Sequence, residues 1–528
     1  MIKFMYPNHK QHKNKARVMI QKYDIKHKDY SHFLGVFSQL GFSGIMKKLG
    51  FYKERGIQPV FMMLQFLMSL LTTTSIFSFI LRGGTATRGE NYSKSALYRF
   101  LGNASYNWRA LQISIAIKLS EKISALTENR RKFLIVDDSL YSRNRSKHTE
   151  MLSRVFDHVS QQFGLGFQYL SLCWTDGNTT LPCDFAMVGA ARKRACKCKM
   201  KKGRKRKKNK GRNRKGSNLI NPVNDYDKRT LLGKRYEECT QSKPATVIAM
   251  IKRALDAGLQ ADGVLFDTWF ATAPLITRIR ALGLHVICML KHMKNTSFLY
   301  DGEYHSLSEL EGIVRKENKD SIGTLMSSRH GILGSLIVET KPTARAPDTV
   351  KAKVVFLRHR SNPDKKLAIL STDTRMKDED IVRHYAKRWL IEVNFFNQKQ
   401  LLGLVKKCRA NLFASIIAHV TMVNICTMIL EYIRREEKDV RTFGDIFKQN
   451  CEEIEDIPFS VAIDTLMRCF RKAVDTLNER HIIKEGKVEE AYAIVNAILN
   501  DWFRQQGEFF QNFIMGLNSD MKDLVRAA

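Results

Sequence analysis

Four functional side chains recur at a helical period near residue 390 of this chain. They are a phenol, a guanidinium, a carboxylate and an ammonium, carried by Tyr385, Arg388, Glu392 and Lys399. Offsets of three, four and seven residues place them within an arc of roughly 60° on an α-helix. Such a face suits a divalent metal beside a phosphate backbone, since a carboxylate binds metal while cations and a hydroxyl bind phosphate oxygens. The alternative is an amphipathic helix with i,i+4 ion pairs, each worth about 0.2–0.5 kcal/mol.

Two upstream positions could complete a set of three acids. The apolar run 133–136 is followed by Asp137 and Asp138, and the apolar run 263–266 is followed by Asp267. A carboxylate at the carboxyl end of a buried strand is held rigidly while its oxygens reach a crevice. Aspartate after a strand is also common as a plain turn residue. Because Asp137 and Asp138 point to opposite faces of a strand, the residues alone leave the first acid open between them.

The flanking segments alternate between strand and helix patterns. A hairpin is predicted from two strands with the turn Asp176-Gly177-Asn178 between them. Around Asp267, helical patterns precede and follow the strand, Gly258 is a C-cap, and a further strand comes next. The predicted strands are 133–136, 167–175, 179–187, 263–266 and 285–290, and the predicted helices are 245–257 and 273–282. Beyond residue 296 helical periodicity is poor, and strands are predicted at 334–340, 351–358 and 366–372.

The stretch YAKRWLIEVNFFNQKQLLGL, with its Tyr-x2-Arg-x3-Glu-x6-Lys spacing, resembles the signature of the IS4-type DDE transposases. The resemblance implies that Glu392 is the third catalytic acid and Asp267 the second. The usual arrangement around the first acid of that family resembles Val136-Asp137-Asp138-Ser139, which favours Asp138, with Asp137 a close second. The implied fold is α/β, with an RNase H-like core interrupted by a β-rich insertion and flanked by helical N- and C-terminal regions.

The same resemblance implies a two-metal mechanism. Asp138, Asp267 and Glu392 would bind two Mg²⁺ ions about 4 Å apart, with Mn²⁺ as a possible substitute. Water would nick the end of the element, and the freed 3′-hydroxyl would attack the opposite strand to give a hairpin that is later reopened. The same site would then join the end to target DNA. Tyr385, Arg388 and Lys399 would bind DNA phosphates near the cleaved end, and the partners would be terminal inverted repeats, target DNA and a second copy of the chain.

Two further roles remain open. The insertion of this family often supplies a Trp that stacks on a flipped base, but no Trp occurs between Trp269 and Trp389. Phe298, Tyr300 or Tyr304 could stand in. His158 could approach the metals, although a core histidine is the favoured interpretation.

The resulting domain prediction has six segments. These are a disordered basic arm (1–28), a helical DNA-binding domain (29–127), the first part of the core (128–295, with a disordered basic loop at 190–222), the β-rich insertion (296–374), the second part of the core (375–435) and a helical C-terminal region (436–528). In that last region Trp502, Phe509, Phe510 and Phe513 form an aromatic face, which is typical of a core.

The charge of the chain indicates a polyanionic partner. The 528 residues carry a formal net charge of +36, and lysines and arginines release condensed counterions when they bind nucleic acid. A membrane surface or an acidic protein would satisfy the charge equally well. No acidic residue interrupts the basic run 191–217, which predicts a solvated loop acting as a non-specific DNA clamp, or merely a solubilising loop. Its Cys196-x-Cys198 lacks the second ligand pair of a zinc site.

A helix–turn–helix is predicted in the N-terminal part. Helical patterns at 93–101 and 108–126 flank a short turn that contains Gly102, with a capping serine at Ser93 or Ser95. Lys94 and Arg99 would then face DNA. Helix pairs of this kind are also common in all-α domains without any recognition role.

Two features bear on location. The ten cysteines are dispersed and no signal peptide precedes them, which predicts a reduced, cytoplasmic protein. The resemblance implies a prokaryotic cell, in which the protein would join the nucleoid when bound to DNA. The apolar stretch 60–81 is long enough to cross a membrane, but Gln65 and a Ser/Thr-rich middle favour a buried helix and no membrane association. The alternatives to an active transposase are a domesticated or inactive transposase-derived DNA-binding protein and a membrane-attached basic protein.

Overall fold

The computed structural model describes most of the chain in twelve stretches. These are residues 32–72, 79, 93–127, 129–157, 160–189, 219–292, 296–317, 331–344, 346–358, 366–436, 441–484 and 486–504. Within them the molecule has a mixed α/β architecture with one large sheet and many helices.

The helices fall before, within and after the sheet region. They are α1 (His32–Gln39), α2 (Phe42–Lys48), α3 (Pro59–Leu70), α4 (Lys94–Leu101), α5 (Trp108–Leu126), α6 (Leu231–Cys239), α7 (Lys243–Asp256), α8 (Ala273–Arg280), α9 (Leu307–Glu317), α10 (Asp378–Ala386), α11 (Leu390–Gln400), α12 (Phe413–Glu436), α13 (Phe443–Glu479) and α14 (Val488–Arg504). A 3₁₀ turn, Lys387–Trp389, connects α10 to α11.

All the strands belong to one sheet. They are β1 (Phe133–Ser142), β2 (Ser153–Asp157), β3 (Gln162–Thr175), β4 (Thr180–Val188), β5 (Gly263–Phe266), β6 (His285–Met289), β7 (Ser297–Tyr300), β8 (Glu303–Ser306), β9 (Ile332–Thr340), β10 (Lys351–Arg358) and β11 (Lys366–Ser371). The strand order is β2-β3-β1-β5-β6-β11-β10-β9-β7-β8, and β4 also pairs with β3.

Two compact units make up the chain. One comprises residues 1–44, 52–97 and 441–528, and its described part is helical. In it Phe37 stacks on Phe42 with ring centroids 4.3 Å apart, and eleven of the twelve residues of α3 are buried. The helix α13 begins with a capping box in which Thr442 and Asp445 bond to each other's backbone N–H groups. The other unit comprises residues 45–51 and 98–440 and contains the whole sheet.

β1 lies at the centre of the part of the sheet that carries the acids. Its first four residues are all buried, as expected of a strand covered on both faces, and it pairs with β3 antiparallel and with β5 parallel. The sequence pattern places the end of this strand at residue 136, whereas β1 continues to Ser142. The antiparallel partner explains the difference, because β3 stays paired as far as Ser142↔Gly166 while the β5 pairing ends at Val136↔Phe266. Asp137 and Asp138 therefore lie in the middle of a strand.

The predicted hairpin and the strand–helix alternation are present. β3 and β4 pair antiparallel across the turn at residues 176–179, where Gly177 has φ +97° and Asp176 accepts bonds from two backbone N–H groups. β5 follows α7, Gly258 has φ +101° after α7, and β6 pairs with β5 in parallel. The ends of these elements either coincide with the sequence patterns or differ from them by up to five residues.

Residues 297–371 hold five of the strands, including those predicted at 351–358 and 366–372. They extend the same sheet, because β11 pairs antiparallel with β6. The helix α9 was not predicted here, although Leu307, Leu310 and Val314 form a buried stripe at helical spacing. Phe298 is 4% exposed and therefore presents no ring for a base, whereas Tyr304 is half exposed beside Lys341.

Apolar helices cover the sheet. α12 is buried over 21 of its 24 residues and contacts β4 and α5. α5 also contacts β4, where the side chain of Gln112 donates a hydrogen bond of 2.8 Å from Nε2 to Pro182 O. The boundary predicted near residue 127 thus falls between α5 and the sheet on which it packs. Among the described helices one, α12, is long and apolar enough to cross a membrane, and its most apolar window is entirely buried in the protein. α3, within the stretch 60–81, has only 12 residues.

Candidate active site

Asp137 and Asp267 stand side by side on neighbouring parallel strands. Val136 pairs with Phe266 in the β1–β5 register, so each aspartate is the next residue on its chain. Residues in register on parallel strands point to the same face of the sheet. The Asp267 carboxylate is also fixed locally, because its Oδ1 accepts a hydrogen bond of 3.0 Å from the backbone N–H of Trp269.

Asp138 points the other way. Its Oδ2 accepts a hydrogen bond of 2.8 Å from Lys243 Nζ at the start of α7, and both side chains are largely buried. The Lys243 ammonium also lies 4.6 Å from the ring centroid of Trp269, which is 47% exposed. The contacts therefore place the two adjacent aspartates in different environments, as strand geometry requires, and they do not favour Asp138 over Asp137 as the neighbour of Glu392.

Glu392 reaches the Asp137 face of the sheet through Arg388. The guanidinium of Arg388 places Nη2 2.7 Å from Glu392 Oε1 and Nη1 3.4 Å from Asp137 Oδ2. The helix α11 that carries Glu392 contacts β1. Three acids that are far apart in the chain, Asp137, Asp267 and Glu392, are thus gathered around one arginine.

The electrostatics of the two aspartates reflect their burial. Burial and, to a smaller extent, the neighbouring Asp267 carboxylate raise the pKa of Asp137 to about 7, with the Asp138 N–H bond and Arg388 acting in the opposite direction. Burial also raises the pKa of Asp267, against the Trp269 N–H bond and Arg388. Two partly desolvated carboxylates that are close enough for one to raise the pKa of the other form a region where added positive charge is stabilised.

Tyr385 joins the same cluster. It lies in the last turn of α10, and the 3₁₀ turn places Arg388 one turn later, with its Cζ 5.9 Å from the Tyr385 ring centroid. Burial raises the pKa of Tyr385 to about 12, so the phenol is a hydrogen-bond donor at neutral pH. The sequence pattern predicts one continuous helix over this stretch, and the 3₁₀ turn interrupts it. The spacing still brings Tyr385, Arg388 and Glu392 together, because residues three and four apart are neighbours in either kind of turn.

Lys399, in the last turn of α11, meets β1 at Ser139, two residues beyond Asp137. Its Nζ donates to Ser139 Oγ at 2.6 Å, and burial lowers the pKa of the ammonium, with Asp157 opposing. Lys399 and Ser139 line an open cavity of about 460 Å³ together with Asp138, Phe156, Gln168 and Lys406. Ser139 is two residues beyond Asp137 on the same strand face, which places this cavity next to the acids.

The donor types at the acids fit magnesium, although their present arrangement is not a closed metal site. Mg²⁺ prefers carboxylate oxygens, and Asp137, Asp267 and Glu392 offer nothing else. Within the described part of the chain, however, no three His, Cys, Asp or Glu side chains converge closely enough to hold an ion. Glu392 is engaged by Arg388, so it must exchange that bond before it can join Asp137 and Asp267 around a cation.

The structure does not test the other residues that were predicted to bind DNA or metal. Arg99 is exposed on α4, Ser93 Oγ accepts from the Ala96 N–H as a helix cap does, and the side chain of Lys94 lies outside the described set. No contact here tests their DNA-binding role. His158, the basic run 191–217, the first 28 residues and Phe509, Phe510 and Phe513 fall outside the described residues.

Sequence reasoning missed two kinds of residue. The contact of Lys243 with Asp138 could not be predicted, because lysine is common at the start of a helix and nothing in the local sequence indicates its partner. Polar side chains on the buried face of α11, Asn394, Asn397 and Gln398, could have been noticed, since they lie at helical spacing from the apolar positions Ile391 and Phe395.

Comparison with known families addresses the nature of this site. Residues 64–301 match the family model described as DDE superfamily endonuclease. The match supports a DDE-type transposase family and transposase-like nuclease activity for this chain. It spans less than half of the 528 residues, includes Asp137, Asp138 and Asp267, and ends before Glu392. No curated protein matches the chain. The mixed α/β fold is consistent with a DDE nuclease, a superfamily that usually uses divalent metals.

Proposed function

We propose that this protein is an IS4-type DNA transposase, which cleaves the ends of its own element and joins them to target DNA. The observation that carries the proposal is the meeting of Asp137 and Asp267, on adjacent parallel strands, with Glu392 across the guanidinium of Arg388. The match to DDE superfamily endonucleases, which includes both aspartates, supports the same chemistry. The strand order β4-β3-β1-β5-β6, with two antiparallel pairings followed by two parallel ones, supports an RNase H-like core that residues 297–371 extend.

The first acid in this proposal is Asp137. Its carboxylate lies 3.4 Å from Arg388, which also binds Glu392, whereas the carboxylate of Asp138 is paired with Lys243. Asp137, Asp267 and Glu392 would hold the divalent cations, with Mg²⁺ as the natural ion and Mn²⁺ as a substitute. Bound there, these ions would supply Lewis-acid stabilisation of the charge that develops at the scissile phosphate.

The chain's own side chains do the rest. Arg388 would leave Glu392 for a DNA phosphate, because a guanidinium bonds two phosphate oxygens at once. Tyr385, protonated at neutral pH, would donate a hydrogen bond to a neighbouring phosphate. Lys399 would bind the phosphate of the adjoining nucleotide at the mouth of the 460 Å³ cavity.

The wider partners follow from charge and reaction. Terminal inverted repeats and target DNA are the substrates, and the net charge of +36 supports a long contact with phosphates. The basic run 191–217 would clamp DNA without reading its sequence, and Lys94 and Arg99 would contact the end sequence. Two copies of the chain would hold two ends in one complex, in the cytoplasm of a prokaryotic cell.

A strand-cleavage assay tests the proposal. The substrate is a duplex that contains the inverted repeat flanking the gene, incubated with the full-length protein and Mg²⁺. Glu392→Gln should abolish nicking and leave the dissociation constant for the duplex nearly unchanged, since it removes a metal-binding carboxylate and no phosphate contact. Lys448→Gln, which removes an exposed cation from α13, serves as the matched control and should cleave normally. Equal loss of binding and cleavage in Glu392→Gln would contradict the role of Glu392.

A further inference from the structure

α11 is held in the protein by an unusual set of buried groups. Five of its residues are buried, and three of these, Asn394, Asn397 and Gln398, are polar. Only Ile391 and Phe395 contribute buried apolar surface from this helix. Apolar contacts are non-directional, so two such side chains fix the distance of a helix from the sheet better than they fix its rotation or axial position.

A hydrogen-bonded cluster supplies the missing directionality. Gln398 Nε2 donates to Asn424 Oδ1 on α12 at 2.8 Å, and Tyr169 Oη on β3 donates to the same oxygen at 2.9 Å. Gln398 Nε2 also lies 3.3 Å from Asn394 Oδ1, and Asn394 Nδ2 lies 3.6 Å from Cys173 Sγ on β3. Tyr169, Gln398 and Asn424 are each 0% exposed. Three elements, β3, α11 and α12, therefore meet at one carboxamide oxygen.

This cluster is a poor way to stabilise the fold. Asn424 Nδ2 is buried without a hydrogen-bond partner among the described residues, and such an unpaired donor is destabilising. Buried polar groups of this kind are often replaced by apolar side chains at little or no loss of stability, and their best-attested use is to specify register.

Register matters here because Glu392 is on the same helix. A slip of one residue would move α11 by about 1.5 Å and turn it by about 100°. That turn would carry Glu392 away from Arg388, which it meets at 2.7 Å, and away from the β1 face that presents Asp137. A hydrogen bond weakens steeply over a much smaller displacement.

We propose that Gln398, Asn424 and Tyr169 are positioning residues that set the register of α11 and so hold Glu392 opposite Asp137. They touch neither substrate nor acid, and they act through the helix they share. The proposal rests on the proposed function for its consequence in cleavage, whereas its structural part, the register of α11, stands apart from it.

The test uses the variant Gln398→Met/Asn424→Leu in the full chain, which replaces both carboxamides with apolar groups of similar size. Thr427→Val is the matched control, because it removes a buried hydroxyl from α12 whose bond runs only to Val423 O within that helix. Tyr169→Phe is a milder second variant that removes a single bond. Spin labels carried by non-natural residues at the exposed positions Val393 and Phe163 report the distance between α11 and β3.

We expect the double variant to fold with a urea midpoint somewhat below that of the wild type, because the buried Tyr169 hydroxyl loses both of its acceptors. Its label-to-label distance distribution should broaden or shift, and Tyr169→Phe should show a smaller change in the same direction. Cleavage should fall 10- to 100-fold and the Mg²⁺ concentration for half-maximal rate should rise, the effect typical of losing support behind a metal ligand. The dissociation constant for end DNA should stay within twofold, and Thr427→Val should match the wild type in every measurement.

An unchanged distance distribution in the double variant would overturn the proposal, as would a broadened distribution with cleavage retained. If the double variant does not fold, the distance and cleavage rate of Tyr169→Phe decide by the same criteria. Failure of the wild type to cleave would instead count against the proposed function, and the label distances would still decide the register.

Discussion

The ion cluster behind β4 allows a quantitative prediction. Asp184 on β4 has a side chain 1% exposed, and its Oδ2 accepts bonds from Arg253 Nε at 3.0 Å and Nη2 at 2.7 Å. Arg109 Nε lies 3.3 Å from Oδ1, and Glu238 pairs with Arg109, Arg235 and Arg253. The cluster joins α5, α6 and α7 to the sheet, and α7 carries the Lys243 that meets Asp138.

Asp184→Asn should destabilise the protein strongly. Breaking a buried ion pair by removing one partner costs about 3–5 kcal/mol, because the remaining charge stays buried and unpaired. Three arginines would then share one carboxylate. We expect about 3 kcal/mol, at the lower end of that range, since the amide oxygen still accepts one hydrogen bond. That loss is a large fraction of the roughly 5–15 kcal/mol by which proteins are stable.

The assay is urea unfolding followed by tryptophan fluorescence, because Trp174 is 0% exposed on β3 beside β4. Asp227→Asn is the control, since Asp227 forms an exposed pair with Arg229 and its loss should leave the midpoint unchanged. Asp184→Asn combined with Arg253→Met should lose less stability than the sum of the two single changes, because it removes the unpaired cation as well. A loss below about 1 kcal/mol in Asp184→Asn, or full additivity in the double variant, would refute the reasoning.

The same aspartate predicts an acid-side pH dependence. Burial acts to raise the pKa of Asp184, but Arg109, Arg253 and Arg235 together hold it below its ordinary value. A depressed pKa in the folded state stabilises the protein above the unfolded-state pKa of about 3.9. This contribution is lost as the pH falls from there through the folded-state value. The Asp184→Asn variant should lack that part of the wild-type acid sensitivity.

Two further predictions concern the turns and the DNA contact. Gly177→Ala and Gly258→Ala both place a Cβ at positive φ and should each lose about 1–2 kcal/mol in thermal unfolding. The two losses should be similar, because the atoms nearest the new Cβ at Gly177 belong to the flexible Lys387 side chain, and a loss near zero at either site would contradict the backbone argument. Lys399→Ala should weaken binding of the cleaved end and lower the salt dependence of that binding by about one phosphate, with no change in the Mg²⁺ requirement; an unchanged salt slope would argue against a phosphate contact.

Much of the candidate site was accessible from the sequence because its local signals are strong. The apolar runs before Asp137 and Asp267 each predict a buried strand. The 3.6-residue period predicts that Tyr385, Arg388 and Glu392 lie on one helical face. Chain order and strand alternation also predict that Asp137 and Asp138 face opposite ways. Which of the two faces Glu392 depends on where α11 packs, and that is a tertiary contact which periodicity does not encode.

The parts that escaped prediction depend on long-range pairing. β1 runs on to Ser142 because β3 pairs with it there, and no local pattern in 137–142 marks a strand. The residues of 297–371 add to the same sheet through β11 and β6, a pairing between segments about 80 residues apart. Lys243 and Asn424 acquire their roles only through partners distant in the chain, Asp138 and Gln398.

The central claim is that Asp137, and not its neighbour on the opposite face, works with Asp267 and Glu392. Its most direct test compares cleavage of end DNA by Asp137→Asn and Asp138→Asn at equal protein concentration in Mg²⁺, with circular dichroism to establish that both are folded. The account predicts that Asp137→Asn loses nicking as completely as Glu392→Gln, while Asp138→Asn retains measurable nicking. Full activity in Asp137→Asn, with loss confined to Asp138→Asn, would contradict it.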